Sequence, residues 1–258
     1  MGVEGPGTDG WGIGFYQGGE VLLRRRPKPP EGAVDFYQLV SELATDVLIG
    51  EVFSASAGTE SKSENTPPYR FRSWLFADCG AIPGFGAVRE SLLATIPDVL
   101  RRNIRGQTDT EQLFHLFLAH LWSLSRSAGK IDDALISTHD AGRALAKTIE
   151  QVGTATASHG PSALAMAAAN GRILVAASVG KPIHFYRLIG MRDCPVCREP
   201  TPQERELSGP HRTSHHDHLR SVVLAANGYG AVAAPWEELP DRHLLMVSRE
   251  LELSIQPL

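Results

Sequence analysis

The ten residues Thr8-Asp9-Gly10-Trp11-Gly12-Ile13-Gly14-Phe15-Tyr16-Gln17 decide the fold of this chain. Asp9-Gly10 predicts a turn, since glycine accepts positive φ and aspartate tolerates turn geometry. Bulky residues and glycines then alternate, which predicts a strand with one bulky face and one nearly bare face. Glycines inside a strand mark the close approach of a ligand or of another backbone. The stretch predicts a hairpin in which Gln17-Gly18-Gly19-Glu20 turns the chain back into Val21-Leu22-Leu23.

Length and composition indicate an ordinary globular chain. It has 258 residues, of which 42% are hydrophobic and 21% charged, enough for one large domain. A formal net charge of -4 argues against a nucleic-acid surface, and no stretch approaches the about 18 apolar residues of a membrane span. Three cysteines and the lack of a signal peptide favour a reducing compartment. We expect a cytoplasmic protein with neither a nucleic-acid nor a membrane partner.

The order of predicted elements is strands, helices and then strands again. Apolar runs predict early strands at 46–53 and 74–77, and helical spacing predicts helices after Thr108 and over 139–152. Asn170-Gly171 predicts a hairpin turn. The later predicted strands are 162–168, 173–178, 184–187, 221–226 and 243–248. Short hairpins with segregated helices indicate the α+β class.

Thr108-Asp109-Thr110-Glu111 matches a capping box at the start of the first long helix. In such a box the threonine caps the helix while the glutamate reaches back to the N-cap backbone. The motif needs no ligand, so a purely structural role for these residues stays open.

The string Asp9-Gly10-Trp11-Gly12-Ile13-Gly14-Phe15-Tyr16 resembles the signature of class II glutamine amidotransferases, N-terminal-nucleophile hydrolases that release ammonia from glutamine. The resemblance covers about Asp9 to Leu258. It implies a four-layer αββα sandwich of two mostly antiparallel sheets with outer helices, built as a single domain over 1–258. It also implies glutamine or a related amino acid as ligand, no required cofactor, and Trp11 and Gly12 at the substrate site.

Three elements of the family's site differ in this chain. The family's nucleophile is a cysteine directly after the initiator Met, whereas Gly2 stands here, so we expect the nucleophile segment to be missing. Phe53 occupies the position of the arginine that pairs with the glutamine carboxylate, and a benzyl group cannot form that pair. Cys79, within Phe76-Ala77-Asp78-Cys79-Gly80, replaces the asparagine that donates to the oxyanion. Losing one such donor costs roughly 3 kcal/mol of transition-state stabilisation.

Other elements of the family's site are retained. Gly80 stands where the family's glycine offers its backbone N–H to the oxyanion, and Asp109 matches the aspartate that binds the substrate α-amine. Cys79 is a further candidate, as a substitute nucleophile, but no basic partner for its thiol is visible in the sequence, and a small apolar residue at a strand end is the favoured explanation.

The resemblance therefore predicts a type-2 amidotransferase-like protein with impaired or absent glutaminase activity and a binding or regulatory role. The alternative is an active enzyme whose true N-terminus carries the nucleophilic cysteine. A different start would supply a cysteine, but it would not restore an arginine at Phe53 or an asparagine at Cys79. The sequence identifies neither a partner protein nor an ammonia acceptor.

A Cys/His-containing insertion is predicted at about 190–218. Cys194 and Cys197 are followed by His211 and His215 at a spacing that fits a structural zinc site. The intervening segment is polar and rich in proline, and it lacks the core of a DNA-reading finger. The alternatives are a polar surface segment with unligated side chains and a redox dithiol.

Overall fold

The computed structural model describes residues 10–27, 43–53, 62–124, 136–190, 218–227 and 235–258. The chain divides into two compact units, the first formed by Met1–Pro182 with Leu239–Leu258 and the second by Ile183–Glu238. The predicted insertion at about 190–218 falls within the range of the second unit. The single-domain organisation stays a prediction.

The described residues form twelve strands and four α-helices. The strands are β1 (Gly10–Gln17), β2 (Glu20–Arg26), β3 (Leu48–Phe53), β4 (Tyr69–Phe71), β5 (Trp74–Ala81), β6 (Ala163–Ala169), β7 (Leu174–Val179), β8 (His184–Ile189), β9 (Arg220–Ala225), β10 (Glu237–Glu238), β11 (His243–Val247) and β12 (Leu253–Pro257). The helices are α1 (Phe85–Ala94), α2 (Asp98–Arg101), α3 (Asp109–Leu124) and α4 (Thr138–Ala155). A short 3-10 helix covers Ser63–Asn65.

The first sheet of the first unit is antiparallel, with strand order β2-β1-β3. Gln17 pairs with Glu20, and the two residues between them have φ values of 61° at Gly18 and 82° at Gly19. Such a two-residue turn needs positive φ at both positions, which glycine supplies without strain. The predicted glycine-rich hairpin is confirmed.

The bare face of β1 lies against the rest of the first unit. A Cβ on Gly12 would stand 2.0 Å from the carbonyl oxygen of Pro67, and one on Gly14 would stand 2.7 Å from a methyl carbon of Leu75. The predicted close approach is therefore made at Gly12 by another stretch of backbone. The opposite face of β1 is bulky and buried, and it carries Trp11, Ile13 and Phe15.

The second sheet of this unit is antiparallel and six-stranded, with the order β12-β11-β7-β6-β5-β4. The hairpin between β6 and β7 turns at Asn170-Gly171, as predicted. The side-chain oxygen of Asn170 accepts a hydrogen bond from the N–H of Ile173 at 3.0 Å, and Gly171 has a φ of 81°. This local bonding is the reason that asparagine and glycine favour such turns.

Helices α3 and α4 pack on one face of the six-stranded sheet. Aromatic rings join α3 to β5, with centroids 5.2 Å apart for Trp74 and Phe117 and 5.4 Å apart for Phe76 and Phe114. Ser137 caps α4 by accepting a hydrogen bond from the N–H of Asp140 at 3.0 Å. Both predicted helices are confirmed.

Strand β5 joins the layers because its side chains alternate between two apolar clusters. Trp74 and Phe76 belong to the cluster on the helix side, whereas Leu75 and Ala77 pack with residues of β2 and β3. The hydroxyl of Tyr16 lies 2.8 Å from the Ser73 carbonyl oxygen and 2.7 Å from that of Ala169, the two acceptors for its proton. The α+β class with stacked antiparallel sheets and outer helices is confirmed.

The second unit contains a three-stranded antiparallel sheet with the order β10-β8-β9. The rings of Tyr186 and Trp236 pack edge to face with centroids 4.6 Å apart. In the described part of the chain, no helix is long and apolar enough to cross a membrane.

Candidate functional site

The predicted site residues of β5 and α3 lie close together in the first unit. The N–H of Ile82, directly after β5, donates to one carboxylate oxygen of Asp109 at 3.3 Å. The N–H of Thr110 donates to the other at 3.1 Å. These bonds fix Asp109, the first residue of α3, beside the strand end that carries Cys79 and Gly80.

Gly80 has a packing requirement of its own. A Cβ at this position would stand 2.1 Å from the carbonyl oxygen of Ala163 on β6, so no larger residue fits while the two strands stay paired. The half-buried Cys79 precedes it and points to the sheet face shared by Leu75 and Ala77, away from the helices. The predicted catalytic roles of Gly80 and Cys79 stay predictions.

Glu51 and Phe53 on β3 face the six-stranded sheet together with the glycines of β1. Glu51 pairs with Gly12 and Phe53 pairs with Gly10, and directly opposed residues in an antiparallel pair point to the same face. A Cβ on Gly10 would stand only 2.7 Å from the Phe53 ring. The position predicted to have lost an arginine therefore holds a half-buried phenyl ring lying over a glycine.

Asp78, on β5, is a buried carboxylic acid that lies next to the first turn of α3. Its side chain is 7% exposed, and burial together with the nearby Asp109 carboxylate raises its pKa to about 7. A hydrogen bond from the Thr110 hydroxyl and the positive charge of Lys181 oppose that rise. Asp78 therefore stays largely protonated below neutral pH.

Glu51, on β3, is a second acid with a raised pKa, and sequence reasoning did not select it. Burial raises its pKa well above the ordinary glutamate value, and the charges of Asp78 and Asp109 raise it further. Within the described residues, Oε2 of Glu51 and Oδ1 of Asp78 are both buried without a hydrogen-bond partner. We call Glu51, Asp78 and Asp109 the acidic triad. The sequence signal that could have identified Glu51 is its position, since it is an acidic residue two positions before Phe53 in a predicted buried strand.

Trp11 and Gly12 are separated by the alternation of β1. Gly12 shares a face with Glu51, while the Trp11 side chain points to the opposite face with Ile13 and Phe15. The structure thus brings Gly12, but not the Trp11 side chain, to the face that carries Glu51 and Phe53. Their predicted contacts with substrate stay predictions.

The capping-box prediction at α3 is correct for Thr108 and wrong for Glu111. Thr108 Oγ1 accepts from the N–H of Glu111 at 3.2 Å, as predicted. The Glu111 carboxylate does not reach back to the N-cap; it accepts from the N–H of Arg105 at 3.0 Å and of Gly106 at 2.6 Å. Gly106 allows this because a Cβ there would stand 2.9 Å from the carboxylate.

Replacing Glu111 by alanine is expected to lower the free energy of unfolding by about 2 kcal/mol, because two backbone N–H groups lose a charged acceptor. Glu150→Ala, which removes an exposed carboxylate from α4, serves as the control and should change stability by less than about 0.5 kcal/mol. Urea unfolding of both variants measures the difference. Equal midpoints would show that this loop is not held by Glu111.

The predicted zinc ligands Cys194, Cys197, His211 and His215 lie outside the described residues. Among the residues that are described, no group of three His, Cys, Asp or Glu side chains could hold a metal ion. Zinc binding stays a prediction. Elemental analysis of protein purified without chelator is expected to give about one zinc per chain, and a ratio near zero that refolding with zinc does not change would refute it.

This chain is similar to known proteins in both its sequence and its fold. Residues 1–250 match the family described as class-II glutamine amidotransferases. Gamma-glutamyl-hercynylcysteine sulfoxide hydrolase of Mycobacterium tuberculosis H37Rv is 32% identical over 75 residues, 29% of this chain and 32% of that protein. The chain therefore matches only about a third of the length of this curated relative.

Two solved structures share the fold. A class-II glutamine aminotransferase domain protein from Silicibacter pomeroyi superposes with a TM-score of 0.64 at 20% identity, over 96% of this chain and 91% of that one. Glutamine phosphoribosylpyrophosphate amidotransferase from B. subtilis gives a TM-score of 0.56 at 16% identity, over 97% of this chain and 43% of that one. Since the family match extends over nearly the whole sequence, the chain belongs to the class-II glutamine amidotransferases.

Proposed function

We propose that this chain uses the amidotransferase fold to bind a small amino compound and does not hydrolyse glutamine efficiently. The observation that supports this most is Phe53. Its ring lies over Gly10 at the position where the family resemblance places a carboxylate-binding arginine. A phenyl ring offers no charge-assisted hydrogen bond to a substrate carboxylate.

The oxyanion position supports the same proposal. Cys79 stands where the resemblance places a donating asparagine, and a thiol is a weak hydrogen-bond donor. The Gly80 backbone remains beside it. Removing one oxyanion donor slows related chemistry by roughly two to three orders of magnitude. The role that remains is binding or regulation, together with a partner protein that the sequence does not identify.

A second candidate function is an active glutaminase whose nucleophilic cysteine lies in a different N-terminal segment. The retained contact between the end of β5 and Asp109, through the N–H of Ile82, favours this candidate. This contact holds Asp109, the residue predicted to bind the substrate α-amine, close to Gly80, as a catalytic site requires. The two candidates differ in whether Phe53 and Cys79 are compatible with turnover.

Ammonia release from glutamine tests the proposal. We expect the 258-residue chain to release none above background. The assay includes Cys79→Ala and an N-terminally extended form that begins with a cysteine. Turnover by the chain that disappears in Cys79→Ala would contradict the proposal and make Cys79 the nucleophile, while turnover by the extended form alone would favour the second candidate.

A further inference from the structure

An open groove lies in the outer helix layer, where the end of α1 meets the second halves of α3 and α4. Its volume is about 520 Å³, within the range of about 300–1,000 Å³ that small-molecule sites occupy. His120 on α3 forms part of its wall. That residue lies about three helical turns, or roughly 16 Å, further along α3 than Asp109. The groove is therefore separate from the candidate site at the start of α3.

A chain of hydrogen bonds joins the three helices at this groove and fixes the tautomer of His120. The Thr95 hydroxyl donates its single proton to the Leu92 carbonyl oxygen at 2.7 Å. The Gln151 amide nitrogen, 2.7 Å from Thr95 Oγ1, must therefore donate to that oxygen. The Gln151 amide oxygen then faces His120 Nε2 at 2.8 Å. Because an amide oxygen only accepts, Nε2 carries a proton and Nδ1 of the neutral imidazole is an acceptor.

The other hydroxyl groups on the groove wall are acceptors for the same reason. Ser91 Oγ donates to the Val88 carbonyl oxygen at 2.7 Å, and Thr154 Oγ1 donates to the Glu150 carbonyl oxygen at 2.9 Å. Each hydroxyl has one proton, so Ser91 and Thr154 can offer a ligand only an oxygen lone pair. The groove therefore favours a ligand that brings its own N–H donors.

Two opposite charges stand on the α4 side of the groove. Lys147 and Glu150 both line it, and within the described part of the chain neither side chain forms an ion pair. Burial lowers the pKa of the His120 imidazole, the Gln151 hydrogen bond raises it, and the charges of Lys147 and Glu150 act on it in opposite directions. Both charges therefore lie near the ring, where a ligand with an ammonium group and a carboxylate would meet a partner for each.

We infer that this groove binds an amino acid in its zwitterionic form. The ammonium group donates to His120 Nδ1 and to the Glu150 carboxylate, and the ligand carboxylate accepts from Lys147. Charge-assisted hydrogen bonds of this kind are the strong ones. An apolar side chain packs on Leu92 and Ala155, which line the same groove. The inference goes beyond the proposed function, because it adds a second ligand site.

Protonation of His120 turns the acceptor Nδ1 into a donor and should weaken binding. The charged groups that face the ring are Lys147 and Glu150, both from α4, and none of the described residues that α1 brings to the groove is charged. Burial is the main cause that lowers the His120 pKa below its ordinary 6.5. Affinity for the amino acid should therefore stay constant above 6.5 and fall as pH drops through the lowered pKa.

Three compounds that differ in their charged groups test the inference by calorimetric titration of the 258-residue protein. Leucine carries both charges, 3-methylbutan-1-amine lacks the carboxylate, and 4-methylpentanoate lacks the ammonium group. We expect leucine to bind at least about tenfold more tightly than the amine, and the acid not to bind. An amine that binds as tightly as leucine, binding of the acid, or failure of leucine to bind would overturn the inference.

A charge variant and its matched control locate the ligand in the groove. Lys147→Met should lower the affinity for leucine about tenfold without weakening the amine. Arg143→Met removes an equal exposed charge one turn earlier in α4, outside the groove, and should change neither affinity. Equal effects of these two variants would overturn the inference. Asp109→Asn should leave leucine binding intact, and a loss there would instead assign leucine to the start of α3.

The ring nitrogens of His120 give a readout that a purely structural role would not move. Nitrogen-15 NMR, assigned against His120→Gln, should show a proton on Nε2 and none on Nδ1 in the neutral ring. Leucine should shift the Nδ1 resonance and lower the pKa of the ring, and Thr95→Val, which frees the Gln151 amide, should admit both tautomers. A neutral ring protonated on Nδ1, or an Nδ1 resonance that leucine does not move, would contradict the inference. Thermal melting of every variant separates lost binding from lost folding.

Discussion

Replacing Gly12 by alanine is expected to prevent stable folding of the first unit. The added methyl carbon would stand 2.0 Å from the Pro67 carbonyl oxygen and 2.9 Å from a Pro68 ring carbon. Both neighbours are backbone or a closed ring, so neither moves aside as a flexible side chain would. We expect a loss of more than about 4 kcal/mol, a size reserved for severe steric or buried-charge defects.

Gly153→Ala is the matched control for this substitution. Gly153 lies in α4, and a Cβ there would meet nothing within 4 Å. Because alanine is the better helix former, this variant should gain about 0.5–1 kcal/mol. Soluble yield and thermal melting compare the two variants. A Gly12→Ala protein that melts within a few degrees of the parent would show that the sheets separate easily at this point.

Replacing Asp78 by asparagine is expected to stabilise the protein above neutral pH. Burial moves the Asp78 pKa from an ordinary 3.8 to about 7, which costs the folded state up to about 4 kcal/mol once the group is ionised. Asparagine keeps the size and an acceptor for the Thr110 hydroxyl but carries no charge. We expect a gain of about 2 kcal/mol at pH 8 and none at pH 4.

The sign follows from proton binding. Between the ordinary pKa and about pH 7, the folded state holds a proton on Asp78 that the unfolded state has released. The free energy of unfolding therefore falls as pH rises through that interval. Urea unfolding at a series of pH values should show this slope in the parent and in Glu20→Gln, and a shallower one in Asp78→Asn. Parallel slopes would mean that Asp78 ionises freely in the folded protein.

The fold could be predicted from local patterns because its hairpins carry their own signals. Gly18-Gly19 and Asn170-Gly171 fix two turns, and alternation fixes which face of β1 is bare. Local patterns do not set the ends of strands, because pairing with distant partners does. β5 extends to Ala81, beyond the predicted end at 77, because β6 pairs with it along that length.

The acidic triad could not be predicted from spacing because its members come from β3, β5 and α3. The charges of Asp78 and Asp109 act on Glu51 only when the two sheets stack and α3 begins beside the end of β5. The sequence identified Asp109 through its motif. It did not identify Glu51 or Asp78, whose chemistry depends on burial created by long-range packing.

The hydroxyl of Tyr16 lies beside the carbonyl of Ser73, in the turn between β4 and β5, and the carbonyl of Ala169 on β6. Burial raises its pKa above the usual tyrosine range, so this phenol resists ionisation by alkali while the sheets remain stacked. Tyrosinate absorbance from Tyr16 should therefore rise when the layers part. The absorbance of Tyr16 in alkali can thus report separation of the two sheets without an added label.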